Sequence, residues 1–167
     1  MPATYEPIAT TTLGSAATTI TFDSIAGTYT DLRLVLVTKF SSGGALPTIR
    51  FNNNTGSNYS TTTIYGAGTS ATSVRTTNYT YFELGGDNFG GSSTIDSFYT
   101  MDILSYAGST NKTFLGTESN DLNGSGQVSR RVGLFRSTSA ITRIDIIASS
   151  GNFSSGATAT LYGILKA

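Results

Sequence analysis

A chain of 167 residues is the size of one domain, and it can bury roughly 70% of its unfolded surface, enough for a core without covalent staples. It contains neither cysteine nor histidine, which excludes disulfides, thiolate metal sites and a cysteine nucleophile and removes the commonest general base, the Ser-His-Asp triad and nearly every zinc site. Ten basic and ten acidic side chains cancel, so no broad field draws in nucleic acid or an anionic membrane.

Thr and Ser together supply roughly three residues in ten, far above ordinary usage. Apolar residues nevertheless recur with period two almost everywhere and with period 3.6 almost nowhere, which predicts strands and close to no helix. Segment 1–17, with Pro2 and Pro7, reads as an extended N-terminal arm. Residues 18–167 read as a single β domain, since no linker or shift of composition divides them.

In Thr18–Asp23, Ile20 and Phe22 share one face and threonines the other, as in a half-buried strand. Asp31–Phe40 puts Leu32, Leu34 and Leu36 on one face and Val35 and Val37 on the other, which predicts a central strand; its two apolar faces need cover that a lone sandwich need not supply in full, so a symmetric oligomer is expected. The same alternation predicts strands at Thr48–Asn52, Tyr59–Tyr65, Val74–Leu84, Thr94–Leu104, Lys112–Glu118, Gln127–Arg136, Ile141–Ala148 and Ala157–Leu165. Turn residues separate them, among them Gly43-Gly44, Gly66-Ala67-Gly68, Gly85-Gly86-Asp87-Asn88 and Asn123-Gly124. About ten strands joined by turns predict an all-β, jelly-roll-like β-sandwich. No apolar run reaches eighteen residues and no leader precedes the domain, so the expectation is a soluble protein without a secretion signal.

Several motifs carry chemistry in other settings. Gly66–Ala71 fits the loose dinucleotide fingerprint, with Asp87 about twenty residues on, but β-type alternation follows it where a phosphate-binding helix is required. Asp121–Gly126 matches the opening of a calcium loop, yet its twelfth position is Val132 rather than glutamate, so it reads as a polar hairpin loop, with a weak calcium or sodium site as the alternative. Asp96 and Asp102 share a strand face about 20 Å apart, too far for a glycosidase pair, which needs roughly 5 to 10 Å. No catalytic, cofactor or metal residue is therefore assigned.

Arg130, Arg131, Arg136 and Arg143 form the only basic concentration, but neighbours on a strand point to opposite faces, so subunit ion pairs are expected rather than a nucleic-acid stripe. Tyr59 and Tyr65 share one strand face, and Tyr79 and Tyr81 another. They read either as core or subunit contact or as a sugar-binding platform. Tyr5, Ile8 and Leu13 are the apolar anchors by which the arm would grip a neighbour, unless it covers an edge of its own domain.

Tyr5-Glu6-Pro7-Ile8-Ala9-Thr10-Thr11-Thr12-Leu13-Gly14, the run Ile20–Leu32 and Phe51-Asn52-Asn53-Asn54-Thr55-Gly56-Ser57-Asn58-Tyr59-Ser60 resemble small proteins encoded by tailed bacteriophages of aquatic bacteria and cyanobacteria. The likeness covers most of the first half, continues more loosely to the end, and carries no catalytic residue. It implies a virion structural protein, commonly a β-sandwich assembled as a homotrimer. That protein would be an outer capsid decoration (cement) protein or a tail-fibre component. Its partners would be the major capsid protein or tail proteins, and in the tail role a host-surface glycan. A one-domain chain suits decoration better, because a fibre subunit also needs an attachment domain and a shaft.

Overall fold

The computed structural model describes residues 4–85, 90–121 and 124–165. Among them are twelve strands and no helix: β1 Tyr5–Thr12, β2 Thr19–Phe22, β3 Asp31–Thr38, β4 Pro47–Phe51, β5 Tyr59–Ala67, β6 Ser70–Tyr79, β7 Phe82–Glu83, β8 Ser97–Leu104, β9 Lys112–Asn120, β10 Gln127–Phe135, β11 Ile144–Ala148 and β12 Thr158–Ile164. They build a β-sandwich, as the alternation predicts. Its larger sheet has eight strands in the order β1-β12-β3-β8-β9-β10-β5-β6, and its smaller sheet has four in the order β2-β11-β4-β7. Every neighbouring pair is antiparallel.

The core fills the space between the sheets. Leu32, Leu34 and Leu36 of β3 point into it and are wholly buried, as are Met101 and Ile103 of β8. From the smaller sheet come Ile20 and Phe22, Ile49 and Phe51, Ile144 and Ile146. Aromatic rings tie the layers together: Phe114 of β9 meets Phe82 of β7 edge-on at 4.5 Å between centroids, and Phe51 of β4 at 5.5 Å. Such offset and edge-to-face pairs add to the burial of their area.

Three differences from the expected strands have local causes. The segment Val74–Leu84 is two strands: Asn78 adopts φ 60°, and the chain leaves β6 for the smaller sheet before β7 begins. Asn tolerates that left-handed conformation better than other non-glycine residues. The fingerprint loop is the tip of the β5–β6 hairpin, where Ala67 pairs with Ser70 and Gly68 supplies a positive φ of 72°. Glycine in the first position of a two-residue hairpin loop is what a type II′ turn requires. Asp87 lies outside the described residues.

The third difference is the arm. Its middle, Tyr5–Thr12, is the strand β1, paired with β12 from Tyr5↔Ile164 to Thr12↔Thr158 with a shift between Pro7 and Ala9. Pro7 and that irregularity blunt the outer edge of the strand. Ile8 and Leu13 pack against the core, while Tyr5 lies exposed with the Arg33 guanidinium over its ring at 5.7 Å. Of the three anchors proposed for a neighbour, Ile8 and Leu13 are thus engaged within their own domain. Only Tyr5 is free to face outward.

Candidate functional site

The larger sheet presents two faces of opposite character, because the pleat sends alternate residues to opposite sides. On the inner face, the register aligns Tyr99, Glu118, Ser129 and Tyr65 across β8, β9, β10 and β5. Glu118 is fully buried. Its Oε2 accepts hydrogen bonds from the Ser129 hydroxyl at 3.2 Å and the Gln127 amide nitrogen at 3.3 Å. The Gln127 backbone N–H donates to Asn120 Oδ1 at 3.2 Å, and Arg131 reaches Glu83 Oε2 at 3.5 Å while lying over Phe82. Burial pushes the Tyr99 hydroxyl far up, and the Glu118 charge adds to the shift. This network joins β9 and β10 to β7 in the interior, where buried polar groups must find partners.

The outer face reads as four rows. The first runs Val37, Phe98, Ser119, Val128 and Gly66 across β3, β8, β9, β10 and β5, and the second Val35, Thr100, Thr117, Arg130 and Ile64. The third runs Arg33, Asp102, Leu115, Val132 and Thr62, continuing to Arg75 on β6. The fourth aligns Leu104, Thr113, Leu134 and Ser60. In the first row Val37, Phe98 and Val128 are exposed at 38, 44 and 59%. The chain itself therefore covers β3 on one face only. Val35 and Val37 look outward.

In the third and fourth rows a groove of about 310 Å³ opens between the apolar pair Val132 and Leu134 on one side and Arg75 with Thr77 on the other, with Ser60 and Thr62 between them. Beneath it Gly133 faces inward onto Phe114, where a Cβ would come within 2.0 Å of the ring. Arg75 Nε donates to Thr62 Oγ1 at 3.3 Å, and Arg136 Nη1 donates to Ser60 Oγ at 3.1 Å.

The tyrosines divide between the two sides. Tyr59 is fully buried, stacked on Phe135 at 4.8 Å, and its hydroxyl accepts the Phe51 backbone N–H at 2.9 Å. Tyr65 is buried too. Neither can serve as a surface platform, a correction that follows from their shared inward face. Tyr79 is exposed and Tyr81 half-buried, with rings 5.7 Å apart and tilted by 55°.

Three of the four arginines Arg130, Arg131, Arg136 and Arg143 have partners within the chain: Arg131 pairs with Glu83, Arg143 with Asp145 at 2.7 Å, and Arg136 bonds Ser57, Ser60 and Asn78. Asp102 takes a two-pronged bond from Arg33 at 2.6 and 2.7 Å, which raises the Arg33 pKa, and Asp96 lies 3.7 Å from Lys39. In the calcium-like loop Asp121 Oδ1 accepts the Gly124 N–H at 2.9 Å, and residues 122 and 123 lie outside the described residues.

Burial of Tyr59 raises its pKa to about 12 from an ordinary 10.0. A phenol whose folded pKa exceeds its unfolded one favours the fold below the unfolded value and loses that advantage as pH climbs toward the folded value. Stability should therefore fall between pH 10 and 12, by up to about 3 kcal/mol from this residue alone. Urea unfolding at pH 9 and pH 12 measures the drop. Tyr59→Phe should reduce it, and equal midpoints for the wild type at both pH values would refute the burial argument.

The groove and the exposed row were missed in the sequence because their residues come from strands distant along the chain. Comparison of the chain with protein-family models, with curated proteins and with solved structures found no match.

Proposed function

We propose that the protein is a non-catalytic structural protein of a tailed-phage virion, an outer capsid decoration (cement) protein that works as a homotrimer bound to the major capsid protein. The observation that carries the assembly part is the first outer row, where Val37, Phe98 and Val128 stand exposed at one end of the large sheet. Ile95, three residues before Phe98, is also exposed. Exposed apolar residues grouped in this way mark a contact surface, and a symmetric oligomer is the commonest use of one. The virion setting rests on the resemblance of 5–14, 20–32 and 51–60 to small phage proteins. The non-catalytic reading is supported by the lack of histidine and cysteine and by the enclosure of Glu118.

Sedimentation velocity at micromolar concentration tests the assembly. We expect a trimer for the wild type and, for Phe98→Glu, a monomer with an unchanged far-UV circular dichroism spectrum, since this side chain faces outward; the lost assembly alone should lower its Tm. A monomeric wild type overturns the surface assignment. Immunogold labelling of particles tests the role: label over the capsid shell supports decoration, and label confined to the tail overturns it.

A further inference from the structure

We infer that the groove between β10 and β6 binds an acidic saccharide, a sugar ring bearing a carboxylate. The inference goes beyond the virion role and does not depend on it, because the groove would offer the same groups on any particle.

Charge is the first argument. The outer-facing residues of β9, β10, β5 and β6 include Arg130 and Arg75 but no carboxylate, and Arg136 reaches in from the end of β10 to Ser60. Glu118, the one acid on these four strands, faces inward. The outer-face carboxylates of β3 and β8 are already engaged: Asp102 holds Arg33, and Asp31 accepts the Ser105 N–H at 2.6 Å. Arg75 and Arg136 approach hydroxyls two residues apart on β5, about 7 Å along the strand; Arg136 is held by Ser57, Ser60 and Asn78, so Arg75, which lines the groove, is the guanidinium that would meet the ligand. A guanidinium fork is matched to a carboxylate, with two parallel charge-assisted bonds.

The lining is the second argument. Ser60, Thr62, Thr77 and Thr113 supply hydroxyls that both donate and accept, while Val132 and Leu134 form an aliphatic wall. A sugar ring has the complementary pair of surfaces, hydroxyls around its rim and C–H groups on its face. At about 310 Å³ the groove is at the small end of the range for small-molecule sites. An acidic peptide fits less well. Peptides are held largely through their main chain, and β5 and β10 are interior strands whose backbone groups are taken by the ladder on both sides.

The test is an NMR titration of the ¹⁵N-labelled protein with hexagalacturonate, using maltohexaose as the neutral control and polyglutamate as the acidic peptide control. The expected result is saturable shifts at Ser60, Thr62 and Thr113 with hexagalacturonate alone. Arg75→Gln should weaken binding roughly tenfold with Tm unchanged, since Arg75 is exposed. Val132→Glu should abolish binding. The proposal is overturned if no shifts occur by about 10 mM ligand, if Arg75→Gln binds as well as wild type, or if polyglutamate binds equally at the same residues.

Discussion

Phe114→Ala should lower the free energy of unfolding by about 3–5 kcal/mol, the range for emptying a buried aromatic position. The ring is fully buried and touches both layers, with Phe82 at 4.5 Å and Phe51 at 5.5 Å. Its neighbour on β10 is Gly133, which leaves the ring room that any side chain would take. Gly133 has no side chain with which to refill the cavity, and Phe51 and Phe82 are both held in the facing sheet by their own strands, so collapse around the hole is limited. The loss would be a large fraction of the roughly 5–15 kcal/mol that a domain commonly has. Gly133→Ala should destabilise by about 1–3 kcal/mol through the opposite fault, overpacking against the same ring. Urea unfolding of both variants checks the pair. A loss below about 1 kcal/mol for Phe114→Ala would mean that the aromatic contact is not what joins the sheets.

Deleting residues 2–12 should destabilise the domain by about 3–5 kcal/mol, roughly 10 °C in Tm, and make it prone to aggregate. The deletion removes the β1–β12 ladder, the Thr10–Thr160 and Thr12–Thr158 hydroxyl pairs at 3.1 Å, and the packing of Ile8 on the core. It also removes Glu6, which accepts a hydrogen bond from the Tyr29 hydroxyl at 3.2 Å. What remains is β12, Thr158–Ile164, as an edge without proline or charge, the kind that pairs with other chains. Differential scanning calorimetry with light scattering reads both effects. A truncated chain that melts within 2 °C or so of the full one and stays dispersed would return β1 to the role of a detachable tether.

The strand pattern was legible in the sequence for a physical reason: with period two, each strand's apolar set commits it to one face. Leu32, Leu34 and Leu36 are therefore buried and Val35 and Val37 lie opposite, as the alternation requires. The turn at Gly68 was legible as well, because few residues accept a positive φ. Other features depended on the sheet order. Threonine and serine occur on both faces of β5 and β6, so the polarity contrast was too weak to show that Tyr59 and Tyr65 point inward. Glu118 is buried at a position whose sequence neighbours are polar, and only the partners on β10 explain it. The groove depends on β10 lying between β9 and β5, which brings Thr113, Val132, Thr62 and Arg75 to adjacent strands. Alternation along one strand determines which side each residue faces, whereas pairing between distant strands determines which residues become neighbours on that side, and the second choice is made by the packing of the whole sandwich.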